Sequence, residues 1–431
     1  MRIDHLKVQN LRCFEQAEFH FSPRFNLLVG VNGAGKTSLL KAVVASLATP
    51  LIGTQKGGSW LHEEDSAARL ALVELQGRAR FERCYPVRLD VSGNVCGLPR
   101  SWWMTKDGPA SQVGFEHTIY SALADEAAKV AQGAEGALPV VAFYAAERQW
   151  QLTGVGADAA VRQQDARLDG YRSWSQAALD MKGLESWVIA KSLERLEAAS
   201  GGGAVQGGGP LDELALVNRA VAQAVPGSTG LHYDIKYRRL VLGWQDAPPV
   251  PFENLSDGQR TLAALVADIA RRICLLNPQL GDQVLEKTPG VVVIDELDMH
   301  LHPTWQRRIS GLLMDTFPSV QFFAASHSPQ IIGELEPEHI WLMRGGKVLG
   351  HPERSLGLDS GEVLKELMGS QARNPEVDEE VRVIRRAIDD DALVQAQDSL
   401  DTLKARVGEI PDVLEAQSAI DSLNWLGDDK A

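Results

Sequence analysis

Cysteine is scarce in this chain of 431 residues. The four cysteines (Cys13, Cys84, Cys96 and Cys274) lie far apart, and no two of them form a C-x-x-C pair. This spacing argues against a disulfide framework and against a cysteine zinc site, and it favours free thiols in a reducing compartment. We therefore expect a cytoplasmic protein.

The sequence also lacks long apolar runs and an excess of basic charge. No apolar run reaches the roughly 18 residues of a membrane span, and the opening MRIDHLKVQN has no apolar signal core. The net charge is −14, and residues 351–431 alone hold 19 acidic and 9 basic side chains. The rest of the chain is nearly neutral, which excludes a pervasive basic field for nucleic acid but leaves a local basic surface open.

A glycine-rich loop joins a predicted strand to a predicted helix. FNLLVG (25–30) is a short apolar strand, and residues 37–47 place apolar side chains at helical spacing. The segment between them, GVNGAGKTS, fits the phosphate-loop pattern G-x-x-x-x-G-K-[ST] in the required context. Lys36 would reach the terminal phosphates, and the hydroxyl of Thr37 would ligate Mg²⁺. The predicted nucleotide-binding residues of this loop are Gly30, Asn32, Gly33, Ala34, Gly35, Lys36, Thr37 and Ser38.

Two carboxylates end a second predicted strand. In VVVIDELDMHLHP (291–303), four apolar residues precede Asp295 and Glu296. In a chain with a phosphate loop, this pattern predicts that Asp295 holds Mg²⁺ and that Glu296 accepts a proton from the attacking water. His300 and His302 lack a third ligand at useful spacing, so the pattern does not favour zinc there.

A histidine ends a third predicted strand. FFAASHSPQ (322–330) places His327 32 residues after Asp295. A lone histidine at a strand end is more often a packed or capping residue. Because parallel strands bring their C-terminal ends to one edge, where ligands bind, we expect His327 to face the terminal phosphate instead.

A second polar loop, NLSDGQRT (254–261), opens an apolar-patterned helix some 220 residues after the phosphate loop. Ser256 stands where the helix N-cap is expected, and a serine hydroxyl with free N–H groups at a helix start forms an anion site. The phosphate loop already supplies one cradle. A second is therefore expected to serve a nucleotide held by another copy of the protein, in a site that closes when two subunits meet.

In this order, the four segments resemble those of the ATP-binding-cassette ATPase superfamily, with Asp257 where a glycine is commoner. The resemblance implies ATP and Mg²⁺ as ligands and a homodimer with composite sites. It also implies that Ser256, Gly258 and Gln259 contact the partner copy's nucleotide and that Asp298 lies in a loop coupling the two sites. His327 would be the switch histidine.

The opening LKVQNLRCFEQAEFHF resembles the start of the RecF/SMC branch of that superfamily, and the D-x-x-L-H-P run (298–303) also suits that branch and its OLD-like relatives. A nucleotide-contacting arginine of the branch would match Arg12. The overall layout is most similar to the stand-alone ATPases of bacterial anti-phage systems, including those of Septu and of retrons. The superfamily's glutamine loop has two candidates, Gln149 and Gln151. The AERQW segment (146–150) could instead be structural.

The expected fold is an α/β P-loop NTPase of the ABC type with an antiparallel β subdomain, a helical lobe and a C-terminal helical extension. Four segments are predicted. Residues 1–100 form the N-terminal ATPase lobe, 101–228 a mainly helical lobe with a glycine-rich loop at 201–210, 229–350 the C-terminal ATPase lobe, and 351–431 an acidic helical extension.

The expected function is an ATP-driven dimeric switch that controls a separate effector, a nuclease in the leading hypothesis, in anti-phage defence. The sequence holds no recognisable constellation for cutting DNA. The acidic helices could dock the effector or could pack as a solvated face on the ATPase core. A RecF-like DNA-binding ATPase is the alternative, a transporter nucleotide-binding subunit is less favoured, and larger assemblies stay open.

Overall fold

The computed structural model describes residues 1–52, 67–75, 78–134, 136–148, 150–162, 166–199, 212–370 and 374–428. The chain divides into two compact units, Met1–Leu358 and Asp359–Ala431. The strands are, in chain order, β1 (Arg2–Leu11), β2 (Phe14–His20), β3 (Phe25–Val29), β4 (Leu70–Leu75), β5 (Arg78–Arg83), β6 (Val87–Val95), β7 (Leu98–Lys106), β8 (Gly114–Phe115), β9 (Val140–Tyr144), β10 (Ser228–Asp234), β11 (Arg239–Trp244), β12 (Val250–Pro251), β13 (Gly290–Ile294), β14 (Val320–Ala325), β15 (Ile340–Arg344) and β16 (Lys347–Gly350). The helices are α1 (Lys36–Leu51), α2 (Ala122–Ala131), α3 (Ala157–Arg162), α4 (Met181–Ala199), α5 (Glu213–Ala224), α6 (Asp257–Leu276), α7 (Val284–Lys287), α8 (Pro303–Thr316), α9 (Pro329–Ile332), α10 (Ser360–Glu362), α11 (Pro375–Asp389), α12 (Leu393–Val407) and α13 (Pro411–Asp428).

The centre of the first unit is a six-stranded sheet in the order β16-β15-β3-β14-β13-β9. All neighbours are parallel except β16, which pairs antiparallel with β15. Every residue of β3, β9, β13 and β14 is buried. This continuous burial is what a parallel sheet covered on both faces requires, and it explains why these strands read as unbroken apolar runs.

A five-stranded antiparallel sheet, in the order β2-β1-β6-β7-β8, lies on the other side of α1. Burial alternates along β6, as expected for a sheet with one face on the core. Helix α1 contacts β13 and β14 of the central sheet and β1 and β6 of the antiparallel sheet. The helix that begins at Lys36 is therefore fixed between two sheets.

The helical part of the first unit surrounds α6. This helix is buried along almost its whole length, and it packs on α5 and β9. Near its C-terminal half, Asp268 accepts hydrogen bonds from Tyr144 (2.8 Å), Arg271 (2.7 Å) and Arg272 (2.7 Å). Asp180 also pairs with Arg271, at 2.6 Å. These side chains form a buried ionic cluster, which we call the Asp268 cluster.

The Asp268 cluster bears on one possibility raised by the sequence. From sequence, Lys236, Arg238, Arg239, Arg271 and Arg272 could form a basic patch, although each is more often an ordinary surface charge. Arg271 and Arg272 are only 1% and 0% exposed. Their charges are neutralised inside the protein, because a charged group is buried only when it is paired. That patch cannot include them.

The second unit contains α11, α12 and α13 packed together. Their apolar faces meet in one core, formed by Val381, Ile384, Ala387, Ala396, Leu400, Leu403, Val413, Ala416 and Ile420. The spacing that predicted helices in this region therefore corresponds to a three-helix core.

Three of the four predicted segments lie within the first unit. Residues 1–100, 101–228 and 229–350 all belong to the first unit, and the division falls between Leu358 and Asp359 rather than after residue 350. Strand β7 runs across residue 100, and β10 begins at Ser228. The loop predicted at 201–210 lies outside the described residues. Among the residues that the structure describes, no helix is long and apolar enough to cross a membrane.

Candidate nucleotide-binding site

Three sequence motifs follow three neighbouring strands of the central sheet. Strand β14 lies between β3 and β13, and all three run parallel. Their C-terminal ends therefore reach the same edge of the sheet. The structure brings the phosphate loop after β3, the carboxylates after β13 and His327 after β14 to that edge, as the sequence predicted.

The phosphate loop (residues 30–38) is packed tightly against its neighbours. A Cβ atom added at Gly30 would lie 2.2 Å from the carbonyl oxygen of Met343 in β15, so only glycine fits there. The loop closes on itself through a hydrogen bond from Ala34 N to Val31 O (3.1 Å). Gly346 N, in the β15–β16 turn, donates to Ala34 O (3.2 Å). The loop is thus held from both sides before any ligand binds.

The side chains at the end of this loop differ in exposure. Lys36 is buried, Ser38 is partly buried and Thr37 is exposed. The Lys36 ammonium group donates to Gly30 O (2.8 Å) and Val31 O (3.3 Å). Burial lowers the pKa of Lys36, while the charges of Asp295, Glu296 and Asp298 oppose that shift. The lysine therefore lies within electrostatic reach of the carboxylates after β13.

Asp295 and Glu296 have opposite environments. Asp295 is 4% exposed, whereas Glu296 is exposed and has a backbone φ of 48°. This left-handed conformation is costly for a glutamate, and it follows directly after a strand in which every residue is extended. Leu297 N donates to Ala325 O (2.8 Å), which anchors the turn to β14. The turn thus buries the first carboxylate and presents the second to solvent.

Asp298 links the carboxylate turn to the histidine loop. Its Oδ1 accepts hydrogen bonds from Ser326 Oγ (2.6 Å) and from His327 N (3.3 Å). Burial lowers the pKa of His327; Lys36 adds to that shift, and the three nearby carboxylates oppose it. The neutral imidazole is therefore favoured. His327, Lys36 and the three carboxylates form one electrostatic group.

Arg148, which sequence reasoning missed, holds the backbone of this group in place. Its guanidinium donates to Asp295 O (2.5 Å), to Glu296 O (2.7 Å) and to Ala145 O (3.2 Å). It comes shortly after β9, the strand that pairs with β13. Arg148 lies in the AERQW segment (146–150), in which the sequence suggested a glutamine rather than the arginine. Gln149 lies outside the described residues, and Gln151 is exposed.

The second polar loop, residues 254–261, is called the signature segment below, and it begins at an opening on the first unit. Ser256 caps α6: its Oγ accepts from Gln259 N (3.3 Å), and Gln259 Oε1 accepts from Ser256 N (3.1 Å). A Cβ at Gly258 would lie 2.6 Å from His300 O, so the helix start packs closely on the loop before α8. His302 Nδ1 accepts from Thr304 N (3.3 Å), which makes it a helix cap.

This signature opening is lined by Ser256, Asp257, Gly258, His300, His302, Thr304 and Trp305. No residue of the phosphate loop, all of which the structure describes, lines it. The two anion-binding features predicted from sequence therefore lie at different places on the chain.

Arg12 lies at the junction between β1 and the segment before β4. Its backbone N–H donates to Ala67 O (2.8 Å), and its φ is 51°. The next residue, Cys13, borders the phosphate loop, because a Cβ at Gly35 would lie 2.7 Å from Cys13 Sγ. The structure thus places Arg12 near the loop, and its contact with a nucleotide stays a prediction.

The donor set fits a nucleoside triphosphate with Mg²⁺. A glycine loop at a helix start provides backbone N–H groups for phosphate oxygens, and Lys36 provides a buried positive charge. The oxygen donors of Thr37 and Asp295 are of the kind that Mg²⁺ prefers. Fold and site together define a P-loop nucleotide-binding domain.

Comparisons with known proteins agree with this class. A family model described as "AAA domain" matches residues 5–94, and one described as "AAA domain, putative AbiEii toxin, Type IV TA system" matches residues 228–333. The retron Ec83 probable ATPase of Escherichia coli is 43% identical over 122 residues, which is 28% of this chain and 22% of that protein.

Two further relatives match either a shorter stretch or a stretch with lower sequence identity. The Septu protein PtuA of Bacillus mycoides (strain KBAB4) is 40% identical over 77 residues, 18% of this chain and 10% of that protein. The DNA replication and repair protein RecF of Salinibacter ruber (strain DSM 13855 / M31) is 27% identical over 144 residues, 28% of this chain and 34% of that protein. The chain is similar to ATPases of the RecF/SMC branch, including those of anti-phage systems, and it matches about a third or less of each relative's length.

Proposed function

We propose that this protein binds and hydrolyses ATP as a homodimeric switch, and that the switch controls a separate effector, a nuclease in the leading form of the proposal, in anti-phage defence. The observation that carries the ATPase proposal is the arrangement of Lys36, Asp295, Glu296 and His327 at one sheet edge. The similarity to a retron ATPase and to a Septu protein supports the setting.

Each side chain has a defined part in the proposed hydrolysis. Lys36 holds the terminal phosphates, and Glu296 accepts the proton of the attacking water, since its carboxylate is exposed beside the buried Asp295. The neutral His327 donates a hydrogen bond to the terminal phosphate. Thr37 and Asp295 would hold Mg²⁺, which neutralises phosphate charge when bound.

The composite site rests on the separation of the signature segment from the chain's own phosphate loop. Ser256 and the N–H groups at the start of α6 form an anion site on a surface that the chain's own phosphate loop does not line. In a two-fold dimer, each copy would place this opening over the other copy's nucleotide, because such an interface repeats every contact twice. Asp298 would connect the sites, since it already joins the carboxylate turn to His327 N.

The effector would bind the acidic second unit. Residues 351–431 carry an excess of ten negative charges. A surface of this sign steers a basic partner and discriminates against acidic ones. Opening and closing of the ATPase would then be transmitted to the bound effector.

The test is Glu296→Gln with Glu147→Gln as the matched control. Glu147 is also an exposed glutamate near the site edge, and it has no place in the mechanism. We expect Glu296→Gln to bind ATP like wild type, to lose at least about 100-fold in turnover, and to form an ATP-stabilised dimer. Turnover near wild type would refute the role of Glu296, and a monomer with bound ATP would refute the composite site.

A RecF-like DNA-binding ATPase is the second candidate, and the β4–β5 hairpin favours it. All six residues of β5 are exposed, and they include Arg78 and Arg80. The hairpin is joined to the β1 end by a hydrogen bond from Arg69 N to Asn10 O (2.9 Å), close to Arg12. The test is duplex-DNA binding over a range of salt concentrations. The slope of log binding constant against log salt concentration should become shallower by about 2 in the Arg78→Ala/Arg80→Ala double variant. Equal slopes in wild type and variant would show that the hairpin does not contact DNA.

A further inference from the structure

We infer that His5, Glu18 and His20 form a binding site for one divalent transition-metal ion of the zinc type. The three side chains lie on the β1–β2 ladder, where His5 is paired directly with His20. Glu18 precedes His20 by two residues, so both point to the same face of β2. Two ligands from one strand and one from its neighbour thus converge on one point.

The distances between the ligand atoms suit a single ion. His5 Nε2 is 2.8 Å from Glu18 Oε1, and His20 Nε2 is 3.8 Å from the same oxygen. One ligand atom from each of the three residues lies within 4.8 Å of the other two. Tetrahedral zinc with bonds of about 2.0–2.1 Å separates its ligands by roughly 3.3 Å, so small side-chain rotations would complete the site.

The ligand types select the metal. Two imidazoles and one carboxylate suit Zn²⁺, Co²⁺ or Ni²⁺, whereas Mg²⁺ and Ca²⁺ prefer oxygen ligands alone. Three protein ligands leave a coordination position free for water. Strand β2 is the outermost strand of its sheet, and His20 and Glu18 are exposed, so an ion can enter from solvent.

An ion pair alone explains the cluster poorly. A single exposed His–Glu pair contributes only about 0–1 kcal/mol, and it needs one histidine. Two histidines directly opposite each other repel when both are protonated. Their rings nevertheless lie with centroids 4.6 Å apart. A shared metal ion would use both rings as ligands at this separation.

One neighbouring charge acts against the metal. Lys7 is paired with Glu18 across the ladder and lies next to the carboxylate. Its positive charge should weaken cation binding without removing a ligand. Lys7→Gln is therefore expected to bind the ion more tightly than wild type. Removing a ligand could only weaken binding, so tighter binding would report on the charge of Lys7.

The experiment is a titration of the full chain with Zn²⁺ and, separately, with Co²⁺. Wild type is expected to bind one ion per chain at this site and to give the intense visible absorption of tetrahedral Co²⁺. Loss of an outer-shell partner typically weakens metal binding by roughly 10–100-fold. Loss of a direct ligand should weaken it at least as much, in each of the variants His5→Ala, Glu18→Gln and His20→Ala. His117→Ala, which removes an exposed histidine elsewhere in the first unit, is the control.

The outcomes separate cleanly. A loss of tetrahedral Co²⁺ absorption in the three ligand variants but not in His117→Ala supports the site. Equal binding in wild type and all variants, or weak octahedral Co²⁺ spectra throughout, would overturn it. Because all three side chains are at least partly exposed, circular dichroism should show unchanged folding, and Lys7→Gln gives an independent test that removes no ligand.

Discussion

At the scale of single residues, Arg148 determines the geometry of the carboxylate turn. Its guanidinium holds the carbonyl oxygens of Asp295 and Glu296 at 2.5 Å and 2.7 Å. It is therefore a positioning residue, because it acts on the backbone that carries the proposed base. The strained φ of Glu296 persists when surrounding contacts over-determine it, and Arg148 supplies two of them.

Replacement of Arg148 should lower turnover more than it lowers ATP binding. We expect Arg148→Ala to reduce kcat by about 100-fold, since a displacement near 1 Å has that effect in a preorganised site, while ATP binding changes little. Steady-state ATPase assays and nucleotide-binding titrations check this split. Arg162→Ala, at an exposed arginine of α3, is the control. A kcat within a factor of two of wild type would show that the turn holds its own conformation.

Lys36, Asp295 and His327 each follow an apolar strand, and each belongs to a side-chain pattern that is typical of a nucleotide site. Arg148 also follows such a strand, β9, but it belongs to no such pattern. Arg148 bonds to backbone carbonyls of residues almost 150 positions later. A backbone acceptor leaves no side-chain pattern, so only the structure could identify this contact.

At the scale of elements, α6 shows where sequence patterns mislead. Its start was predicted correctly, because a Ser-x-x-Gln capping box precedes an apolar helix. Its last turns carry two adjacent arginines, which sequence alone assigned to the surface. They are buried because Asp268, three and four residues earlier, and Asp180 lie beside them. Asp180 comes from a distant segment, so its pairing has no local signal.

Asp268→Asn should strongly destabilise the first unit. Removing one partner of a buried ionic cluster leaves an uncompensated charge, which costs about 3–5 kcal/mol. Chemical denaturation at neutral pH checks this, with the exposed Asp282→Asn as the control. A loss of less than about 1 kcal/mol in the free energy of unfolding would mean that Asp180 alone neutralises the charges of both arginines.

The same variant has a defined pH dependence. Burial alone would raise the pKa of Asp268, but Arg272 and Arg271 outweigh burial and hold it below its ordinary value. A carboxylate with a lowered folded pKa stabilises fully above its unfolded pKa, near 3.9, and loses that contribution as the pH falls through the folded pKa. The stability gap between wild type and Asp268→Asn should therefore narrow only below about pH 4.

At the scale of the whole molecule, the sequence predicted the kinds of element better than their grouping. Strands β3, β13 and β14 lie where their apolar runs indicated, and the C-terminal extension is helical as predicted. Residues 1–100, 101–228 and 229–350 all lie in the first unit, in which the buried helix α6 packs on α5 and β9. Long-range burial of this kind is a property of the assembled fold, and local periodicity does not encode it.

The proposed dimer makes the final prediction, which concerns two copies of the chain. Lys36→Ala removes the phosphate-loop charge, and Ser256→Arg blocks the signature opening. If each site takes its phosphate loop from one copy and its signature from the other, both variants alone should be inactive. A mixed dimer keeps one intact site, because the Ser256→Arg copy supplies its loop and the Lys36→Ala copy supplies its signature.

Mixing the two variants in equal amounts should therefore restore activity. Random exchange makes half of the dimers mixed, and one of two sites works in each, so about a quarter of wild-type turnover is expected if the sites act independently. ATPase assays before and after subunit exchange measure this. Activity of Ser256→Arg alone would place the signature outside the site. Two inactive variants with no rescue would contradict a composite site whose two halves act independently.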